Sequence, residues 1–255
     1  MSDVVIVGAG RIGSVFARLM PEAAVVRRGA VIPPAACTIL CVGEDDLPAA
    51  WAALPAPASV GEGVVVLQNG LVGPWLAARL PDPEARACVT RGVINFAAPA
   101  RDGVAAPGGV SLFHGPEAAR VVGILNAGGI PARVATDAVD FARVEATKLA
   151  WTCAFGLLGT VHGCTVGEVL AHHGEALDAL LAELTPVLAG AAGVALDAEG
   201  VRADVRAYAA GIPGWSARLK ALDWRNGAVV RAARAQGLAS VVHEGLLARA
   251  GVRVG

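Results

Sequence analysis

Residues 4–20 read VVIVGAGRIGSVFARLM: a short apolar run, then Gly8-Ala9-Gly10-Arg11-Ile12-Gly13, then an amphipathic stretch. This is a strand, a glycine turn and a helix, in the order a dinucleotide pyrophosphate requires. Gly8 permits the tight turn, Gly10 lets the backbone approach the phosphates, and Gly13 lets the helix pack closely on the strand. The free N–H groups at the helix start, around Arg11 and Ile12, face the anion. Read without a ligand, the same residues are a glycine turn joining a core strand to a core helix.

Downstream of this unit the first half keeps alternating. Strands are expected at 23–26, 38–42, 64–68, 88–96, 109–114 and 132–134, with helices at 46–54, 71–80 and 117–128. From Asp137 onward the strand pattern stops, and helical periodicity runs through 139–158, 164–172, 175–192, 215–236 and 239–250. The expected fold is α/β: a Rossmann-type parallel sheet domain over 1–137, followed by an all-helical domain over 138–255 for substrate binding and dimerisation. Pro33-Pro34 and Pro55-Ala56-Pro57 mark loops inside the first domain.

Composition narrows the function. A formal net charge of −1 leaves no polybasic surface for nucleic acid or anionic membrane. The uncharged stretch from Leu149 to Gly167 approaches spanning length, but Thr152, Gly156, Gly159, His162 and Gly163 interrupt it, which favours a buried helix and turn. The five cysteines are scattered and odd in number, as small core residues of a reducing compartment. Strand-forming residues begin at Val4 with no basic stretch before them, so a cytoplasmic location is expected. Cys37 and Cys41 lack a second ligand pair, and His162, His172 and His173 would need a further ligand from elsewhere, so no metal is expected.

Two features point to chemistry. An NAD-type site wants Asp or Glu at the end of the second strand, whereas this chain offers Arg27 and Arg28, whose guanidinium groups suit a 2′-phosphate. NADP is therefore expected over NAD. Of 21 basic residues, only Lys148 and Lys220 are lysine. A chain that uses arginine elsewhere can keep lysine where a titratable amine is needed; the alternative is that two lysines remain by chance. Reducing a carbonyl needs a hydride donor and a proton donor; Lys148 can give the proton and stabilise the developing oxyanion, and burial would bring its pKa into the working range. Lys148, Thr152 and Gly156 fall on successive turns of one helix face. The structural alternative has Lys148 at an exposed helix end and Thr152 in the core.

Three further segments accompany the glycine turn: Leu67-Gln68-Asn69-Gly70, the run from Glu145 through Lys148 to Gly156, and Asp223-Trp224-Arg225-Asn226-Gly227. In this order they resemble the ketopantoate reductase (2-dehydropantoate 2-reductase) family. The resemblance implies a Rossmann domain joined to a helical domain, and reduction of a 2-oxo acid by NADPH. It implies that Asn69 belongs to a turn near the nicotinamide and substrate, that Arg28 is the arginine after the second strand, and that Lys148 is the general acid. It also makes Asp223 and Asn226 substrate-side residues. The family's two asparagines after the lysine are Thr152 and Gly156 here, and its glutamate two residues before the aspartate is Ala221. Thr152 is then expected to offer a hydroxyl to the substrate, and Gly156 to leave room where relatives carry an amide. The family's lysine after the next strand is replaced within Val42-Gly43-Glu44, and the segment between Arg28 and Thr38 is short. The expected function is an NADPH-dependent reductase of a small carbonyl (2-oxo acid-like) or imine substrate, with apolar helical faces that allow a homodimer. The alternative is a nucleotide-binding member without net redox turnover, acting as a sensing or assembly protein or a non-redox enzyme.

Overall fold

In a computed structural model of the chain, which describes residues 3–56, 61–98, 100 and 106–255, the opening Val-Val-Ile-Val run is strand β1 (Val4–Val7) and Arg11–Leu19 is helix α1. Strands β2 (Ala24–Val26) and β3 (Cys37–Leu40) follow, then a 3-10 turn (Glu44–Asp46), helix α2 (Leu47–Ala52) and strand β4 (Val64–Val66). Helices α3 (Val72–Arg79) and α4 (Pro83–Ala87) lead to strands β5 (Thr90–Val93), β6 (Phe96–Ala97), β7 (Ala106–Pro107) and β8 (Ser111–His114). Helix α5 (Ala118–Ala127) and strand β9 (Ala132–Val134) complete this part. Pro57, the last residue of the expected Pro55–Pro57 loop, lies outside the described residues.

Seven strands form one sheet in the order β2-β1-β3-β4-β5-β8-β9. The strands of the centre, β3 and β4, are buried along their whole length, which is why they read as unbroken apolar runs rather than as alternation. Every pairing is parallel except one: β8 runs antiparallel to β5, with Gly92 opposite Phe113. The expected parallel sheet is thus present, with that one pairing reversed. A parallel return needs a crossover of a dozen or more residues, usually helical. The described residues between β5 and β8 contain no helix and instead pair β6 with β7 antiparallel, so the chain comes back reversed.

The remaining helices are α6 (Ala138–His162), α7 (Val166–His172), α8 (Gly174–Ala192), α9 (Ala198–Ala210), α10 (Asn226–Ala235) and α11 (Val241–Arg249). From Leu149 to Gly159 helix α6 is buried all round, with Leu149, Ala150, Cys153, Ala154, Phe155, Leu157 and Leu158 in one core, the mark of a central helix. No single described helix is long and apolar enough to cross a membrane; α6 and α7 qualify only jointly, and a bend of 81° separates them. Gly163 makes that bend at φ +66°, and Thr165 and Glu168 then start α7 with a reciprocal capping box.

Two helical expectations need correction. The helix expected over 215–236 begins only at Asn226, because Ala221 adopts a left-handed φ of 47° that no helix continues through. Helix α9 was not foreseen. Its signals are an Asp197 side chain that accepts from the Gly200 N–H and the buried series Val201, Val205 and Ala209.

By density of internal contacts the chain divides into two units. One comprises residues up to Gln68 and Val72–Phe141; the other comprises Asn69–Leu71 and Ala142–Gly255. The candidate residues fall in both, and each unit is taken by itself below.

Candidate functional site

In the sheet-bearing unit the three glycines of the turn meet three different environments. Gly8 has φ +106°, and a β-carbon there would stand 2.7 Å from the Cys41 carbonyl oxygen. At Gly13 a β-carbon would overlap the Gly8 carbonyl, so α1 lies directly on the end of β1. Around Gly10 there is open space: a β-carbon would meet nothing within 4 Å. A plain structural turn has no reason to keep glycine at Gly10, whose φ of −75° suits any residue. No side chain caps the start of α1, which leaves the amide groups around Arg11, Ile12 and Gly13 directed outward. Open backbone, free amides and a helix N-terminus together fit a dinucleotide pyrophosphate.

The neighbouring strand ends are tied by a residue whose role the sequence did not disclose. Buried Gln68 donates through Nε2 to the carbonyls of Leu40 (2.8 Å) and Val42 (2.9 Å), and its Oε1 accepts from the Leu67 N–H at 3.2 Å. It thereby joins the carboxyl ends of β3 and β4 at the edge where open α/β sheets bind their ligands. Gln68→Leu removes both of these bonds and the one to the Leu67 N–H. A loss of about 1–3 kcal/mol is expected, read as a lower urea midpoint with unchanged slope.

Arg27 and Arg28 lie at the end of β2, both exposed. The Arg28 guanidinium is 85% exposed and pairs with Asp46 at 2.6 Å. A surface pair of this kind holds about 0–1 kcal/mol, so it orients the arginine without committing it.

In the helical unit Lys148 lies on α6, partly exposed, with its ammonium nitrogen 3.8 Å from the centre of the Tyr208 ring and 4.8 Å from that of Trp151. Burial brings its pKa down to about 7, and the buried Arg225 guanidinium adds to the effect. Thr152, one turn on, donates its hydroxyl to the Lys148 carbonyl at 2.9 Å, so toward any other group it acts only as an acceptor.

Gly156 does not leave the expected room. The 217–219 segment crosses α6 there, and a β-carbon would stand 3.2 Å from the Arg218 carbonyl oxygen. Arg218 donates to the Gly159 and Cys164 carbonyls, and the Leu219 N–H donates to Thr160 Oγ1, which fastens the crossing. The missing side chain makes way for backbone.

Three other expected substrate-side residues are placed as follows. Asn69 is half-buried at the start of a short segment seated on the 223–226 loop, where the Leu71 N–H donates to the Trp224 carbonyl at 2.8 Å. Asp223 is 80% exposed and pairs with Arg231 at 3.2 Å. Asn226 is buried, and its Oδ1 lies 2.7 Å from Nε2 of His243. Burial lowers the His243 pKa to about 4, which leaves the imidazole neutral and able to donate one N–H to that oxygen. His243 has no sequence signal, because it meets Asn226 only through packing of α11. Glu183 on α8 fixes that helix by accepting from the Val242 and His243 N–H groups, each at 2.9 Å. His162 and His173 stack ring on ring with centroids 3.6 Å apart.

Residues 140–252 match the model of the ketopantoate reductase PanE/ApbA C-terminal domain. The fold as a whole is shared with a probable 2-dehydropantoate 2-reductase from Bacillus subtilis, at TM-score 0.73 and 16% identity over 97% of this chain and 98% of that one. A PanE/ApbA family ketopantoate reductase from Ralstonia eutropha superposes at TM-score 0.71 and 21% identity, over 97% of both chains. D-mandelate dehydrogenase in complex with NADH and anilino(oxo)acetate superposes at TM-score 0.73 and 15% identity, again over 97% of both. No curated protein matches the chain in sequence.

Proposed function

We propose that this chain is an NADPH-dependent reductase of a carbonyl, 2-oxo acid-like, or of an imine, a reading supported by the match of residues 140–252 to the ketopantoate reductase C-terminal model and by a fold similar to that of ketopantoate reductases. The observation that carries the reading is Lys148, a half-buried amine with its pKa near neutrality at the position of the family's general acid. An amine so placed holds a proton at working pH and gives it up readily. NADPH, when bound, supplies the hydride. Gly8, Gly10 and Gly13 with the start of α1 would hold its pyrophosphate, and Arg27 and Arg28 its 2′-phosphate.

Lys148 transfers its proton to the substrate oxygen as negative charge develops there, and before transfer its charge stabilises that oxygen. Thr152 presents only lone pairs toward a ligand. Asp223 faces water, and Asn226 is engaged by His243. Fewer polar groups than the family pattern provides are thus available, which favours a less hydroxylated substrate than ketopantoate. A cytoplasmic homodimer acting on a small molecule completes the reading.

The test is oxidation of NADPH by the purified protein across a panel of 2-oxo acids, ketones and imines. Turnover with at least one class is expected. On the cofactor side, nicotinamide fluorescence should show NADPH binding more tightly than NADH. Arg28→Ala should lower NADPH affinity by about tenfold or more and leave NADH affinity within about twofold, since only the 2′-phosphate is lost as a partner. Equal affinities in the unaltered protein would remove the NADP assignment.

The internal engagement of Thr152 and Asn226 also favours a second reading, in which the nucleotide is bound without net redox turnover. Tight NADPH binding with no oxidation by any panel member selects it.

A further inference from the structure

Lys148 lies in a corner made by two aromatic rings. Trp151 is three residues along α6, Tyr208 comes from α9, and their rings meet edge to face with centroids 5.0 Å apart at 83°. Trp151 in turn stacks on fully buried Phe155 at 5.4 Å, which holds the wall of the corner in place. The ammonium nitrogen sits over the Tyr208 face at 3.8 Å and beside Trp151 at 4.8 Å, both within the range where a ring quadrupole attracts a cation. At the position of the family's glutamate, Ala221 offers no carboxylate.

We propose that Tyr208 is a positioning residue for Lys148: its ring face, with Trp151 as the second wall, seats the ammonium. The proposal rests on the reading of Lys148 as the proton donor. A carboxylate would fix the amine by a hydrogen bond and hold its proton too firmly. Aromatic faces hold it by the charge alone, and an N–H turned away from them remains for a substrate oxygen. The phenol is itself titratable, and burial raises its pKa, so it stays neutral while the amine titrates. Arg225, which precedes α10, is the charged group that acts on the amine from another element, and it disfavours the protonated form. The two rings oppose Arg225 and burial.

Lysine occurs only at positions 148 and 220, so protein carrying 13C at lysine Cε gives two side-chain signals, assigned with Lys220→Arg. The Lys148 signal should lie upfield of that of Lys220 through ring currents. In Tyr208→Leu it should move back toward the Lys220 position, and its pKa should fall by about half to one and a half units. The pH limb of turnover should shift equally. Tyr208→Phe keeps the ring face and should restore both the shift and the pKa. Coincident lysine signals in the unaltered protein overturn the proposal, as does Tyr208→Leu with shift and pKa unchanged or with a raised pKa. If Tyr208→Leu does not fold, the ring-current shift of the unaltered protein and its retention in Tyr208→Phe decide. Should the seat be confirmed while Lys148→Met keeps full turnover, the role of Lys148 as proton donor fails and the seat stands.

Discussion

Lys148→Met should lower the turnover of carbonyl reduction by about 10²- to 10⁴-fold while NADPH affinity stays within about twofold, and it should make the protein harder to unfold at pH 6. The first effect follows from the proposed role of Lys148 as the proton donor. The second follows from the amine's surroundings. Its pKa falls from 10.5 to about 7 on folding, through burial first and Arg225 second. Between those values the unfolded chain holds the proton and the folded chain does not, so stability rises with pH across that window. Below about pH 7 both states are protonated, and the folded state carries a desolvated cation at its full cost. Methionine removes that cost and packs its thioether on the same rings. The gain is therefore largest below pH 7 and vanishes by about pH 10.5. Its ceiling is about 5 kcal/mol, reduced by the amine's partial exposure. The pH profile of the unaltered enzyme carries the same signature. Reduction should be flat below about pH 7 and fall tenfold per unit above it, whereas the reverse oxidation should rise to a plateau. Thermal melts at pH 6 and pH 10, with rates in both directions, check these points. Equal melting temperatures for Lys148→Met and the unaltered protein at pH 6 would contradict the strained-amine account.

The legible parts of this molecule are those where one local pattern has one physical meaning. The glycine turn was readable because strand, glycines and helix adjoin in sequence. Lys148 stood out because arginine fills nearly every other basic position. The reversal at β8 was not readable, since an apolar run such as Ser111–His114 encodes burial and not direction. Helix α9 was missed although Asp197 and the Val201, Val205 and Ala209 series announce it, because the intervening residues are polar or small. The helix ending at Ala235 starts later than expected because no proline or glycine stands between Trp215 and Asn226 to mark a break, and nothing in the residue type of Ala221 announces its left-handed turn. Within the site the hidden residues are those supplied by distant segments. Tyr208 reaches Lys148 from α9, and His243 reaches Asn226 from α11, across 60 and 17 positions respectively, so neither contact leaves a local trace. Gly156 was read as room for a ligand when it is room for backbone. A missing side chain looks the same in sequence whichever of the two fills the space.

That ambiguity makes the glycine turn the sharper test of the cofactor assignment. Gly13→Ala should destabilise the fold by about 3 kcal/mol or more, since its β-carbon would overlap the Gly8 carbonyl and neither backbone can yield. Gly10→Ala should leave the unfolding midpoint nearly unchanged. Its backbone angles suit alanine, nothing lies within 4 Å, and the weaker helix cap is offset by lower entropy of the unfolded chain. The same methyl group would occupy the space where a pyrophosphate must approach the α1 amides. Loss of one or two charge-assisted hydrogen bonds lowers NADPH affinity by about tenfold to a hundredfold or more. Two neighbouring glycines thus separate what a fold needs from what a ligand needs. Urea unfolding and fluorescence titration of both variants read the two quantities side by side. A Gly10→Ala protein that unfolds and binds NADPH as before would mean the open backbone at the start of α1 serves no nucleotide. A Gly13→Ala protein of undiminished stability would mean that α1 does not rest on β1 as closely as the Gly8 carbonyl requires.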